Sequence, residues 1–299
     1  MFRKNHCSPA SVKAGSCLSK DLLVRIGTII NNIEQCGKID CSQKPKELQK
    51  CIGQEIQKIS KCADEACWQT INEIMGKLSP GEKDEFKFSF KPFMPEEWKR
   101  NPNKWLNTLD IDNVLDRYER GYDKFKYFGA TPIDFDKEKA DGSCSVNDMC
   151  KINVKNLLDE GYESCGAIFN TDDSDGGGEH WFSVFVDFKG VNRKNKPSIY
   201  YFDSVGSSAP DEIEDLVEDL IGQSKILVSK KDKRIPKELD VLYNDIQHQH
   251  GNTECGVYSI HFLTEMLKGK SFQRYIKKKN PDKEIEKFRK KFFIEKTII

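Results

Sequence analysis

Cys255 stands directly before Gly256 in "NTECGVYSIHF", and an apolar run begins at once. Val257, Ile260, Leu263 and Leu267 recur at spacings of three and four, with Phe262 and Met266 widening the stripe. That period predicts a core-facing helix with Cys255 in its first turn. Unpaired N–H groups and the positive end of the helix dipole favour a thiolate there, the form of cysteine that attacks carbonyl carbon. A buried structural cysteine leaves the same local signature, so the nucleophile reading needs a base and an orienting acid from elsewhere in the chain. "HWFSVFVDF" alternates as a strand, with Phe182, Val184, Val186 and Phe188 set against Ser183, Phe185 and Asp187. A polar hairpin segment, "KGVNRKNKP", leads into a second strand, "SIYYFDSVGSSAP". His180 stands at the entrance of the first and Asp203 at the exit of the second, and antiparallel pairing brings such ends together. An isolated histidine or aspartate at a strand end is more often a surface or capping residue. The matched positions carry the signal.

The elements around these residues set the frame. With 299 residues there is room for one large domain or two ordinary ones. Charged residues are 32% of the chain and balance to zero, so no global field points to nucleic acid or a membrane. No window approaches eighteen apolar residues and "MFRKNHCSPASVKAG" lacks a hydrophobic signal core, which predicts a soluble, non-secreted protein. Eleven cysteines are then expected as reduced thiols rather than a disulfide framework. Seven of them precede residue 68, in a stretch that predicts three helices: "SKDLLVRIGTIINNI" with Ser19 as N-cap, "KPKELQKCIGQEIQKI", and "ACWQTINEIMGKL", the last broken by "SPGEKDEF". The spacing of Cys36 to Cys41 and of Cys62 to Cys67 is loose for zinc, and no histidine accompanies it.

From about residue 86 aromatics become dense and Pro92, Pro95 and Pro102 forbid a continuous helix. "WLNTLDIDNVLDRYERGY" reads as a helix with Ile111, Val114, Leu115 and Tyr118 inward, and "SCGAIFNT" as a buried strand. "DDSDGGGE" reads as an exposed flexible loop. A strand rather than a helix follows its three glycines, which argues against phosphate binding, and the acids lack the closing glutamate of a calcium loop. "KILVS" and "VLYNDIQHQH" supply two further strand candidates. His248, His250 and His261 read as loop and helix residues, and HExxH is absent, which disfavours a zinc protease. The basic stretch from 268 to 299 has twelve Lys or Arg against four acids. It reads first as a solvated face and only second as a dock for a precursor, virion nucleic acid or a scaffold.

"GGEHW", "YYFDSVG" and "QHQHGNTECGVYSIHF" resemble the His-Trp, Asp-Ser and Gln…Cys-Gly blocks of the peptidase family that holds adenovirus protease, the SUMO-deconjugating proteases and large-DNA-virus relatives. "WLNTLDIDNVLDRYE" resembles that family's Trp-Leu-Asn helix, so the likeness covers roughly residues 95 to 267. The resemblance implies an α+β fold, an adenain-like, papain-related core with a mixed central sheet, spanning residues 89–299, while residues 1–88 match none of the core family and read from their own periodicity as an N-terminal helical domain. It implies Cys255 as nucleophile, His180 as its proton partner, Asp203 as the orienting acid and Gln249 as oxyanion donor together with the Cys255 N–H. Trp181 and Trp105 would wall a slot for small residues such as Gly-Gly, with Gly256 letting the substrate backbone approach. No cofactor and no metal are implied. The expected partner is a protein substrate, either a viral precursor or a protein conjugated to ubiquitin or a related modifier, in the host cytoplasm or the virion. An acyltransferase using a similar His–acid–Cys set is disfavoured, because nothing in the sequence resembles the cofactor site it would need.

Overall fold

A computed structural model describes residues 3–11 and 15–296. Contacts divide the chain into two units, residues 1–99 with 290–299, and residues 100–289. The expected boundary fell at 88/89. In space the N-terminal unit keeps the next eleven residues and takes back the last ten.

In the N-terminal unit the first two helices form where their caps and stripes place them. Helix α1 (Lys20–Ile30) starts at Ser19, whose side chain accepts from the Leu22 N–H, and α2 (Pro45–Ile59) starts with proline in its first turn. Leu22, Leu23, Ile26 and Ile30 meet Leu48, Ile52 and Ile56 in one core around Trp68. The third expected helix does not form as one piece. A 3-10 turn over Glu65–Thr70 is capped by Asp64, Ile71 is extended, and α3 (Asn72–Met75) is a single turn. "SPGEKDEF" starts a helix instead of ending one. Ser79 and Glu82 form a capping box, and Pro80 opens α4 (Pro80–Ser89).

The reduced-thiol expectation is also corrected. Cys7–Cys17, Cys62–Cys67 and Cys144–Cys150 are disulfides, which leaves Cys36, Cys41, Cys51, Cys165 and Cys255 free. Each pair lies ten or fewer residues apart, and local turns bring the Cα atoms to 5.2–6.4 Å, within bonding reach.

Cys62–Cys67 encloses part of the segment holding Glu65, a buried carboxylate that accepts from the Ser16 hydroxyl and the Cys17 N–H. Burial pushes its pKa up to about 7 from 4.5, against those two donors. The native state therefore favours the neutral acid, so this contribution to stability is full below pH 4.5 and lost as pH rises through about 7. Melting temperatures measured across that window should decline for the natural chain and decline less for Glu65→Gln. Equal slopes would mean that Glu65 stays ionised in the fold.

The second unit opens with α5 (Thr108–Gly121), capped by Asn107, and is built on a five-stranded sheet in the order β1-β2-β3-β4-β5. The strands are β1 (Phe125–Thr131), β2 (Ser164–Asn170), β3 (Trp181–Asp187), β4 (Ser198–Phe202) and β5 (Asp240–Tyr243). The outer pairs run parallel and the two inner pairs antiparallel, giving the mixed sheet. Every residue of β3 is buried, as expected of a strand with neighbours on both sides and layers on both faces. Between β1 and β2 lie α6 (Asn147–Cys150) and α7 (Val154–Asp159). "KILVS" is not a strand. It ends α8 (Asp211–Ser229), a helix whose stripe of Ile213, Leu216, Val217, Leu220 and Leu227 packs into the sheet's core. Helix α9 (Cys255–Leu267) packs on β3 and is buried nearly all round, followed by α10 (Phe272–Lys277) and α11 (Asp282–Phe292). Among the described residues no helix is long and apolar enough to cross a membrane.

Candidate active site

The β3–β4 hairpin delivers the pair that the sequence pointed to. Ser183 stands opposite Phe202, so His180, just before β3, lies beside Asp203, just after β4. The His180 Nε2 lies 3.1 Å from each carboxylate oxygen of Asp203. Asp203 is 1% exposed, and its Oδ1 accepts the Val205 N–H at 2.7 Å. The Asn244 amide donates to the Asp203 carbonyl at 2.7 Å and holds the strand exit in place. Asp187, the acid of β3, sits at the far end of the strand, where it accepts N–H groups of Lys189, Gly190 and Asn192 in the hairpin turn.

Cys255 is the first residue of α9 and 3% exposed, and it stands near enough to the same imidazole to raise the histidine's pKa. With Nε2 turned to Asp203, Nδ1 is the nitrogen left for sulfur. The helix is stapled next to the histidine, since the Ser259 hydroxyl donates to the Trp181 carbonyl at 3.2 Å and Ser183 donates to the Ser259 carbonyl at 3.5 Å. No side chain caps the start of α9, which leaves its first N–H groups open to another acceptor.

Burial pulls the His180 pKa down, but hydrogen bonds and charge from Asp203 and Cys255 outweigh it and raise the value to about 10 from 6.5. The imidazolium is thus the resting form at neutral pH. Its stabilising pair with Asp203 is fully present below pH 6.5 and lost as pH rises through about 10. The alkaline limb of kcat/KM should accordingly lie near pH 10. Asp203→Asn removes the larger raising influence and leaves desolvation in place, so its alkaline limb should move well down. An unmoved limb in that variant would show that another group sets it.

Gln249 is reached through the residue next to the acid. Its Oε1 accepts the Ser204 hydroxyl at 2.7 Å, and its Nε2 donates to the Gly251 carbonyl at 3.0 Å. Neither Ser204 nor Asn244 was singled out in the sequence, because nothing local to either residue announces a partner some forty positions away. His248 is buried, with a pKa lowered to about 4 by that burial, helped by the charge of Lys279. His261 bonds the Tyr275 hydroxyl through Nδ1 at 2.9 Å. Neither is placed to replace His180.

Trp181 is buried and its indole N–H donates to the Leu106 carbonyl at 2.9 Å, while Trp105 is 41% exposed. The two indoles line a cleft of about 440 Å³ together with Gly176, Gly177 and Gly178. The glycine loop is tied down rather than loose. Asn170 accepts N–H groups of Asp172 and Glu179, Asp172 accepts that of Gly178, and Asp134 holds Ser174 twice. Gly256 also has a packing role. A Cβ there would lie 3.0 Å from the Leu106 Cβ, so its missing side chain makes room for Leu106.

A cysteine at the head of a buried helix, beside an imidazole that a buried carboxylate holds, is the arrangement of a thiol protease. The chain belongs to the Ulp1 protease family, whose C-terminal catalytic domain matches residues 124–299. A thiol protease of Acanthamoeba polyphaga mimivirus is 32% identical over 232 residues, 77% of this chain and 69% of that protein. The SUMO-1 cysteine protease of African swine fever virus is 29% identical over 275 residues, 85% of this chain and 94% of that one. The crystal structure of an African swine fever virus protease shares the fold, with a TM-score of 0.69 at 24% identity over 99% of this chain and 97% of that one.

Proposed function

We propose that this cysteine protease cuts viral precursor proteins after Gly-Gly, through a Cys255–His180–Asp203 triad, in the host cytoplasm or the virion. The observation that carries the specificity is the joining of the two indoles. Trp181 follows the base directly in sequence and is locked to Leu106, whose neighbour Trp105 forms the exposed wall of the same cleft. Flat walls beside the base favour residues without side chains before the cut.

In the reaction, the Cys255 thiolate attacks the carbonyl carbon. The oxyanion that forms receives hydrogen bonds from the Gln249 amide and the uncapped N–H of Cys255. The intermediate collapses to a thioester as the His180 imidazolium protonates the leaving amine. His180 then takes a proton from water, which attacks the thioester and releases the carboxylate and the thiol.

Deconjugation is the second reading. It is favoured by the African swine fever virus relative, which is named a SUMO-1 cysteine protease. Fluorogenic Gly-Gly-Xaa peptides tested against SUMO and ubiquitin C-terminal probes separate the two. Faster turnover of the short peptide is expected, whereas a large preference for an intact modifier would move the assignment to deconjugation.

A further inference from the structure

The Gln249 side chain has two polar ends that differ only in which is oxygen and which is nitrogen, and only one orientation offers a donor to an oxyanion. The Gly251 carbonyl can only accept, so its contact at 3.0 Å fixes the nitrogen on that side. The Ser204 hydroxyl lies 2.7 Å from the amide oxygen and therefore donates there. Ser204 is 1% exposed and Gln249 2%, so no bulk water competes for either group. The Ser204 carbonyl also accepts the N–H groups of His248 and Gln249, each at 2.8 Å.

We propose that Ser204 is a positioning residue for the oxyanion donor. Its hydroxyl locks the Gln249 amide with nitrogen outward, leaving the second N–H free for the developing charge. This rests on the reading of Gln249 as that donor. Because Asp203 and Ser204 are consecutive, one strand exit aims both the acid that orients the base and the amide that meets the oxyanion. Without the hydroxyl, the Gln249 oxygen becomes a buried acceptor with no donor, and the amide is free to turn.

Ser204→Ala should lower kcat on a Gly-Gly peptide by about 10-fold to 30-fold with KM within about twofold, part of the cost expected for losing a donor outright. Iodoacetamide alkylation of Cys255 should keep its natural rate in the same variant, since displacement at saturated carbon creates no oxyanion. A Ser204→Ala/Gln249→Ala double variant should be no slower than Gln249→Ala alone. Ser204→Cys, nearly the same size with a weaker donor, should fall between wild type and alanine, and it carries the test if the alanine variant does not fold. Slower alkylation in step with kcat, or a double variant slower than Gln249→Ala by the full single-variant factor, would overturn the proposal. Normal kcat in Ser204→Ala beside a large loss in Gln249→Ala would also overturn it and leave the oxyanion role standing. A harmless Gln249→Ala would remove the oxyanion role itself.

Discussion

Replacing Cys255 by alanine is expected to bring peptide hydrolysis below detection while the melting temperature stays close to that of the natural chain. The sulfur is the only group at this site that can form the thioester, and alanine fits the space that a buried thiol leaves at the first turn of α9. His180→Ala should cost nearly as much, on the order of 10⁵-fold in kcat, because the thiol loses its proton partner and the leaving amine its acid. The two losses should not add, since each residue works only through the other. The measurement is single-turnover cleavage of one peptide by both single variants and the double. A Cys255→Ala protein that still released product would place the nucleophile elsewhere among the free thiols, Cys36, Cys41, Cys51 and Cys165. Cys165 is a poor substitute, since complete burial raises its pKa far above the ordinary thiol range.

Gln249→Ala is expected to cost about 10²–10³ in kcat, on the order of 3 kcal/mol of transition-state stabilisation, with little change in KM. In the proposed role the amide meets charge that exists only after attack, so substrate binding has no use for it. A variant whose KM rose while kcat held would assign Gln249 to substrate binding instead.

The places of the candidate catalytic residues could be read from the sequence because they follow from local geometry. A hairpin of known direction fixes His180 beside Asp203, and an apolar period of three and four fixes Cys255 at a helix start. What went unread depends on longer windows or distant partners. "KILVS" looks like a strand because its apolar residues are β-branched or leucine, and only the spacing that begins back at Ile213 shows a helix. The Pro-Gly pair after Ser79 reads as a breaker, although the serine and Glu82 three residues on are a helix start. The three disulfides could not be found by spacing, because pairing depends on how the backbone turns between the cysteines.

Strand β3 lies in the middle of the sheet with both neighbours antiparallel and all of its residues buried. Amides in such a strand exchange with solvent only when the whole unit opens, whereas irregular segments open by themselves at far lower free energy. His180 adjoins that slow-exchanging strand, and Gln249 lies on the segment between β5 and α9, outside regular structure. On warming, the Gln249 amide, the proposed oxyanion donor, is therefore expected to lose its place before the imidazole and its carboxylate separate. The expected consequence is a temperature range in which the cysteine still reacts with alkylating agents while the enzyme no longer turns over, with inactivation by heat beginning as a loss of alignment and not as unfolding.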